Sequence, residues 1–321
     1  MKFENSKITQ IKGDASFRKF YRKKTANASS IIVYAKKDKK KNLLNYDSIN
    51  KILIKKKISA PKLISESYSN NFIEVEDFGK QTVFDFIKKK NVNKTKIYNK
   101  ILSILIKLQK IKLRKIKSFK NKFYKVPNYS RRILFEEANL FLKWYIPRVI
   151  TKSKRFKIKK KLKKILLNLI KKIKLPNETF VHRDFHVSNL MIMKNKILII
   201  DTQDAVYGNV AYDLASLIDD VRLKTSMHFK ERIYQKYLSL NKKNINKIQF
   251  KNDFEILSVL RNLKIIGIFT RLAQRDNKKK YLKLIPYAWR LIENRIDKND
   301  IFIELKKKLA NSFTKKIRIK K

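Results

Sequence analysis

From about residue 82 onward the apolar residues of this chain recur mostly at helical spacing, with one interruption. Residues 178–208 carry three short apolar runs, TFVH, NLMIM and KILIIDTQD, which read as three strands around a loop. Helical pattern resumes with VAYDLASLIDDV. A strand, loop and strand inside a helical half is the feature that most restricts the fold, because it fixes where the loop residues sit. That loop lies in FVHRDFHVSNLMIM, residues 180–193, which holds two of the three histidines of the chain.

A carboxylate just after a strand, an Asn five residues on and a second carboxylate at the end of the next apolar strand are able to converge on one cleft. Phosphoryl transfer uses that set. The first Asp orients the acceptor hydroxyl and takes its proton, while the Asn and the second Asp hold magnesium against nucleotide phosphates. Asp184, Asn189 and Asp201 stand in that order. Oxygen donors suit Mg2+, which needs one or two protein ligands beside the phosphates. Each residue has a blander explanation as a turn or strand-end residue. With only three histidines, H-x-D-x-x-x-x-N between two strands is nevertheless seldom accidental. His182 is expected to anchor the loop; His186 packs in it or faces solvent.

Charge offers a competing account. The chain of 321 residues has 81 Lys plus Arg against 26 Asp plus Glu, a formal charge of +55. Such an excess attracts polyanions. Lysine is spread from end to end, however, in a chain rich in Ile and Asn with only 4 Gly and 5 Pro. That pattern fits AT-rich coding and a solvated surface better than a dedicated nucleic-acid face, so no specific nucleic acid is expected. With 43% hydrophobic residues there is enough for a sizeable core, and zero Cys excludes disulfides and thiolate metal sites. The start MKFENSKITQ lacks a signal-like apolar segment, and no apolar run approaches bilayer length. A cytoplasmic protein without membrane insertion is the expectation.

Residues 7–77 read differently from the rest. KITQIKGDASFRKFYRKK, SSIIVYAKK, PKLISES and NNFIEVEDFG are rich in β-branched and aromatic residues and read as strands, with Gly13 and Asp14 turning between the first two. NLLNYDSINKILIKKK carries its apolar residues at helical spacing. Farther on, SRRILFEEANLFLKWYIPRVI and KKKLKKILLNLIKKIKLP read as helices, the second expected to end at Pro176. The expected fold is therefore α+β: a small N-terminal antiparallel sheet with one helix over 1–77, and a larger, mostly helical part over 78–321.

VHRDFHVSNLMIM followed by ILIIDTQDAVYGNVAYDLASLIDDVR resembles the aminoglycoside phosphotransferase and choline kinase superfamily. GDASFRKFYR, the stretch TQDAVYGNVAYDLASLIDDVR and RNLKIIGIFTRLAQRDNKKKYLKLIPYAWRLI are similar to its branch of N-acetylmuramate and N-acetylglucosamine kinases of peptidoglycan recycling. The resemblance spans nearly the whole chain. It implies the two-lobed protein-kinase-like fold, with a nucleotide-binding lobe over 1–77 and the catalytic loop and substrate cleft in 78–321. It further implies ATP and Mg2+ as cofactors, a small-molecule sugar substrate, and transfer to its anomeric hydroxyl.

Position by position, the resemblance implies Asp184 as catalytic base, Asn189 and Asp201 as metal ligands, and Asp204 as an additional metal or phosphate contact. Asp213 matches a position that braces the catalytic loop. The turn Gly13, Asp14, Ala15 and Ser16 corresponds to the cover over the nucleotide phosphates, and backbone groups near Glu76 and Asp77 to the partners of adenine. Two departures stand out. The strand SSIIVYAKKD has no V-A-I-K motif, so the phosphate-contacting cation is Lys36 or, from the neighbouring strand, Arg18 or Arg22. DTQD replaces D-F-G and no A-P-E segment follows, which speaks against a regulated protein kinase. Three alternatives stay open: an aminoglycoside-type acceptor, a choline-type acceptor with Trp144, Tyr145 or Trp289 as aromatic partners, and a non-catalytic basic module that binds RNA or anionic membrane.

Overall fold

The computed structural model of the chain describes residues 7–11, 18–241 and 246–319. Five strands, β1 (Lys7–Ile11), β2 (Lys19–Lys24), β3 (Ser29–Tyr34), β4 (Leu63–Ser67) and β5 (Phe72–Glu76), form one antiparallel sheet in the order β1-β2-β3-β5-β4. Helix α1 (Lys41–Lys55) lies between β3 and β4 in sequence. The expected α+β architecture is thus present, an N-terminal sheet with its helix followed by a mostly helical remainder.

Alternation sets the sheet faces. In β5, Ile73 and Val75 are 0% and 2% exposed, whereas Phe72, Glu74 and Glu76 between them are half-buried. Ile73 and Val75 pack with Val33, Ala35 and, from α1, Leu43 and Tyr46. Burial of each such aliphatic side chain contributes about 2 kcal/mol. The buried face of α1 carries Leu43, Tyr46, Ile49 and Leu53, the spacing of a helix against a sheet. The helix closes when the amides of Lys57 and Ile58 donate to the carbonyls of Ile54 (2.9 Å) and Leu53 (3.0 Å), with Lys57 in the left-handed region at φ 57°.

Contacts group the chain into two compact units, residues 1–127 with 180–207, and residues 128–179 with 208–321. Backbone pairing is the reason: Thr82 bridges Met191, the amide of Ile192 donates to Gln81 (3.0 Å), and that of Ile199 to Ser59 (2.9 Å). These bonds group the region around Asp184 with the N-terminal sheet.

The second unit is built on the long helix Lys247–Arg275, whose buried residues run around its whole circumference. The helices Arg131–Leu140, Tyr212–Ile218 and Ile285–Ile296 pack against it. One turn of π-helix, Phe141–Tyr145, interrupts the segment from Arg131 to Val149. There the long helix approaches so closely that a Cβ on Gly267 would stand 2.3 Å from the carbonyl carbon of Leu140 and 2.5 Å from the amide nitrogen of Phe141. The helix Lys152–Lys171 stops before the expected Pro176. Beyond it, the buried Asp253 carboxylate takes the amides of Lys174 (3.0 Å) and Leu175 (2.8 Å). Among the described residues no helix is long and apolar enough to cross a membrane.

Candidate active site

The strand-loop-strand reading of residues 178–208 holds. Thr179–Val181 is a strand, and Leu190–Met193 and Lys196–Ile199 form an antiparallel hairpin with Leu190 opposite Ile199. Its two-residue turn, Lys194 and Asn195, has φ of 47° and 61°, the paired positive values of a type I′ turn that matches strand twist. Twelve residues of sequence separation collapse here. The amide of Ile200 donates to the carbonyl of Asn189 at 3.1 Å, so Asn189 and Asp201 flank the open end of one hairpin.

The loop before the hairpin is fastened at several points. The ring Nε2 of His182, a residue 1% exposed, lies 3.0 Å from the carbonyl oxygen of Ile200 and ties the loop's entry to the chain that delivers Asp201. Arg183 takes a left-handed φ of 73°. The amides of His186 and Asn189 donate to the carbonyls of Asp184 (3.0 Å) and His186 (2.9 Å), curling the loop. His186 is buried rather than turned to solvent. The Asn189 side-chain nitrogen donates to the carbonyl of Asp184 at 3.0 Å. Its nitrogen being committed, Asn189 presents its amide oxygen as the free-handed donor atom for a cation.

Asp201 also takes a left-handed φ, 62°, which turns its carboxylate off the strand direction. Its Oδ1 accepts from Arg18 Nη2 at 2.7 Å and from Gln203 Nε2 at 3.3 Å. Gln203 reaches Asp204 Oδ2 as well, at 2.8 Å, and the Asp204 carbonyl accepts from Arg183 at 3.3 Å. Asp204 is exposed and linked to Asp201 through Gln203. The next residue, Thr202, is buried and donates to Asn50 Oδ1 at 2.5 Å, while Asn50 Nδ2 donates to the carbonyl of Pro61 at 2.8 Å. Helix α1 thereby holds the segment that carries Asp201.

The structure brings Asp184, Asn189, Asp201, Asp204 and His182 into one unit. Asp213 is 1% exposed in the first turn of the helix Tyr212–Ile218, which belongs to the other unit. Gly13, Asp14, Ala15 and Ser16 lie outside the described residues. Lys36 is exposed beyond the end of β3, and its carbonyl accepts from Lys39 at 2.8 Å. The cation held against Asp201 is instead Arg18. Arg22 is used elsewhere: its guanidinium forks onto Asp77 at 2.6 and 3.0 Å and reaches the carbonyl of Gly79 at 2.7 Å. Burial alone would raise the Asp77 carboxyl, but Arg22, Ser29 and the Gly79 amide together hold it below the usual carboxylate range. The Glu76 amide donates to Lys62 at 2.9 Å.

Sequence reasoning missed Gln203, Asn50 and Thr202. Asn50 is one of three buried polar residues of α1, with Asp47 and Ser48, among its apolar Leu43, Ile49 and Leu53. Of the aromatics weighed as a cation cage, Tyr145 and Trp289 are core residues, each 1% exposed and packed with Phe141 and Phe313, whereas Trp144 is half-buried.

Residues 7–246 match the family model described as APH, phosphotransferase enzyme family. The chain is 26% identical over 289 residues to an N-acetylmuramate/N-acetylglucosamine kinase of Neisseria meningitidis serogroup B, covering 87% of this chain and 82% of the relative. It is 25% identical over 313 residues to a protein of the same description from Pseudomonas aeruginosa, covering 95% and 88%. Among solved structures it is similar to an amicoumacin kinase in complex with AMP-PNP, Ca2+ and Ami, with a TM-score of 0.61 at 13% identity over 91% of this chain and 89% of that one. That likeness shows the fold, the two-lobed protein-kinase-like one.

Proposed function

The chain belongs to the phosphotransferase enzyme family, a family of ATP-dependent small-molecule kinases, and from that premise we propose that it transfers the γ-phosphoryl group of ATP to the anomeric hydroxyl of N-acetylmuramate or N-acetylglucosamine. The observation that carries the acceptor is the extent of the likeness, 87% and 95% of the chain to two kinases of those sugars, well beyond the catalytic loop. The reading of the reaction is supported by the hairpin that sets Asn189 and Asp201 side by side behind the loop bearing Asp184.

In this reading residues 1–77 serve the nucleotide and residues 78–321 carry the catalytic loop and the acceptor cleft. Asp184 accepts the hydrogen bond of the anomeric hydroxyl, orients its oxygen toward the γ-phosphorus and takes its proton as the bond to phosphorus forms and the bond from phosphorus to the leaving ADP oxygen breaks. The transition state is loose, so positioning contributes more than the basicity of the carboxylate. The oxygens of Asn189 and Asp201 are hard donors that suit Mg2+. Magnesium, when bound with ATP, neutralises charge on the phosphates. Asp204 stands by as a further acidic contact and His182 holds the loop, while Asp213 occupies the position that the resemblance assigns to structural support. The resemblance assigns the cover over the phosphates to Gly13, Asp14, Ala15 and Ser16, which lie outside the described residues. Phe78, Met191 and Leu198 form a buried apolar cluster next to the Glu76–Asp77 stretch. With the Glu76 and Gly79 amides already donated, to Lys62 and to Asp77, adenine pairs with other backbone groups of that stretch.

Incubation with Mg-ATP and a panel of N-acetylmuramate, N-acetylglucosamine, other hexoses, choline and an aminoglycoside, followed by phosphorus NMR, tests the proposal. The expected product from either amino sugar shows a phosphate coupled to the anomeric proton. Transfer only to another hydroxyl, or only to choline or the aminoglycoside, overturns the acceptor. No turnover with any of them, together with tight and salt-sensitive polyanion binding, favours the non-catalytic module.

A further inference from the structure

Kinases of this architecture set a lysine of the third strand against the nucleotide phosphates. In this chain β3 reads SSIIVY and holds no lysine, and Lys36 beyond it is exposed. Arg18, just before β2, is 6% exposed. Its guanidinium carbon stands 5.5 Å from the ring centre of Phe20 and 5.9 Å from that of Tyr46, and Nη2 holds Asp201 Oδ1 at 2.7 Å. Burying a guanidinium costs several kcal/mol unless ring faces and a carboxylate offset it. This cation is therefore installed, not incidental. Burial pushes the Tyr46 hydroxyl up to about 12, so it stays neutral beside the pair.

We infer that Arg18 is the phosphate-contacting cation of this chain, and that it shares Asp201 with the metal: it holds the carboxylate when no nucleotide is present and engages the phosphates when Mg-ATP arrives. The planar fork suits two phosphate oxygens, and its positive charge neutralises them. A guanidinium on Oδ1 of Asp201 competes with a metal ion for the charge of that carboxylate. The inference rests on the kinase reading but not on the identity of the acceptor.

Nucleotide binding tests it without turnover. Calorimetry with wild type, Arg18→Met and Arg18→Lys is run with ATP, ADP and adenosine, each with and without Mg2+, and Mn2+ binding without nucleotide is followed by electron paramagnetic resonance. Arg18→Met is expected to weaken ATP and ADP about 10-fold or more, to leave adenosine within about twofold, and to bind Mn2+ more tightly because Asp201 loses its competing cation. A merely structural role would lower adenosine affinity equally and would not improve Mn2+ binding; that result, or unchanged ATP affinity, overturns the assignment. If Arg18→Met does not fold, Arg18→Lys decides. A reduced preference for ATP over adenosine supports the inference, and an unchanged preference overturns it. A wild-type chain that binds no nucleotide at all overturns the kinase reading itself, which separates the two failures.

Discussion

The amide of Ile200 donates to the carbonyl of Asn189 at 3.1 Å, and this one bond at the mouth of the Leu190–Ile199 hairpin brings two distant oxygen donors together. On the proposed reading Asn189 and Asp201 hold magnesium while Asp184 orients the acceptor. Their variants should fail differently. Asp184→Asn is expected to lower kcat by about 10²-fold or more while nucleotide affinity stays near wild type. Asp201→Asn is expected to weaken Mg-ATP binding and kcat together. Steady-state kinetics paired with calorimetry checks both, and near-normal turnover of Asp184→Asn would remove it from the role.

At the end of α1, Lys57 occupies a left-handed position at φ 57° that glycine adopts without a Cβ penalty. The amide bonds of the closing motif do not depend on the side chain. Lys57→Gly is therefore expected to stabilise the protein by about 0.5–1 kcal/mol, read as a raised urea midpoint with unchanged slope.

Gly267 leads to the opposite expectation. A methyl group there meets backbone atoms of Leu140 and Phe141 at 2.3–2.6 Å, and backbone yields less readily than a side chain. Gly267→Ala is expected to destabilise by about 3 kcal/mol or more despite the better helix propensity of alanine. A variant as stable as wild type in urea would mean that the π-turn at Phe141–Tyr145 shifts freely.

Asp219 carries a pH dependence. Burial alone would raise its carboxyl, but Arg295 at 2.9 Å, Lys230 at 3.1 Å and the Ser258 hydroxyl at 2.5 Å hold it well below the usual carboxylate range. A carboxyl depressed in the folded state contributes stability above its unfolded value, roughly 4, and loses it as pH falls through the folded value. Asp219→Asn is expected to cost about 3 kcal/mol at neutral pH, with the gap to wild type narrowing as acid is added below about pH 4. Urea titrations at several pH values measure it; a gap that stays constant with pH would detach the effect from the charge.

Much of this protein was legible before folding was considered. Alternation in FIEVE, helical spacing in NLLNYDSINKIL and the short runs around HRDFHVSN mark their elements because backbone periodicity is a local property. The spacing of Asp184, Asn189 and Asp201 was legible for the same reason, since a tight hairpin converts a fixed separation into adjacency. The helix stop ahead of Pro176 was not legible, because the Asp253 carboxylate that takes the amides of Lys174 and Leu175 comes from 78 residues or more away.

What the sequence by itself determined is the set of chemical groups and the local frames that carry them: strand, loop, hairpin and the three oxygen-bearing residues. Tertiary structure alone decided which cation stands against them. Lys36 follows β3 closely in sequence yet turns to solvent, whereas Arg18 reaches across 183 residues to Asp201. Hydrogen-bond periodicity acts over a few residues, but burial of a charge is decided by whichever rings and carboxylates the folded chain places around it, here Phe20, Tyr46 and Asp201.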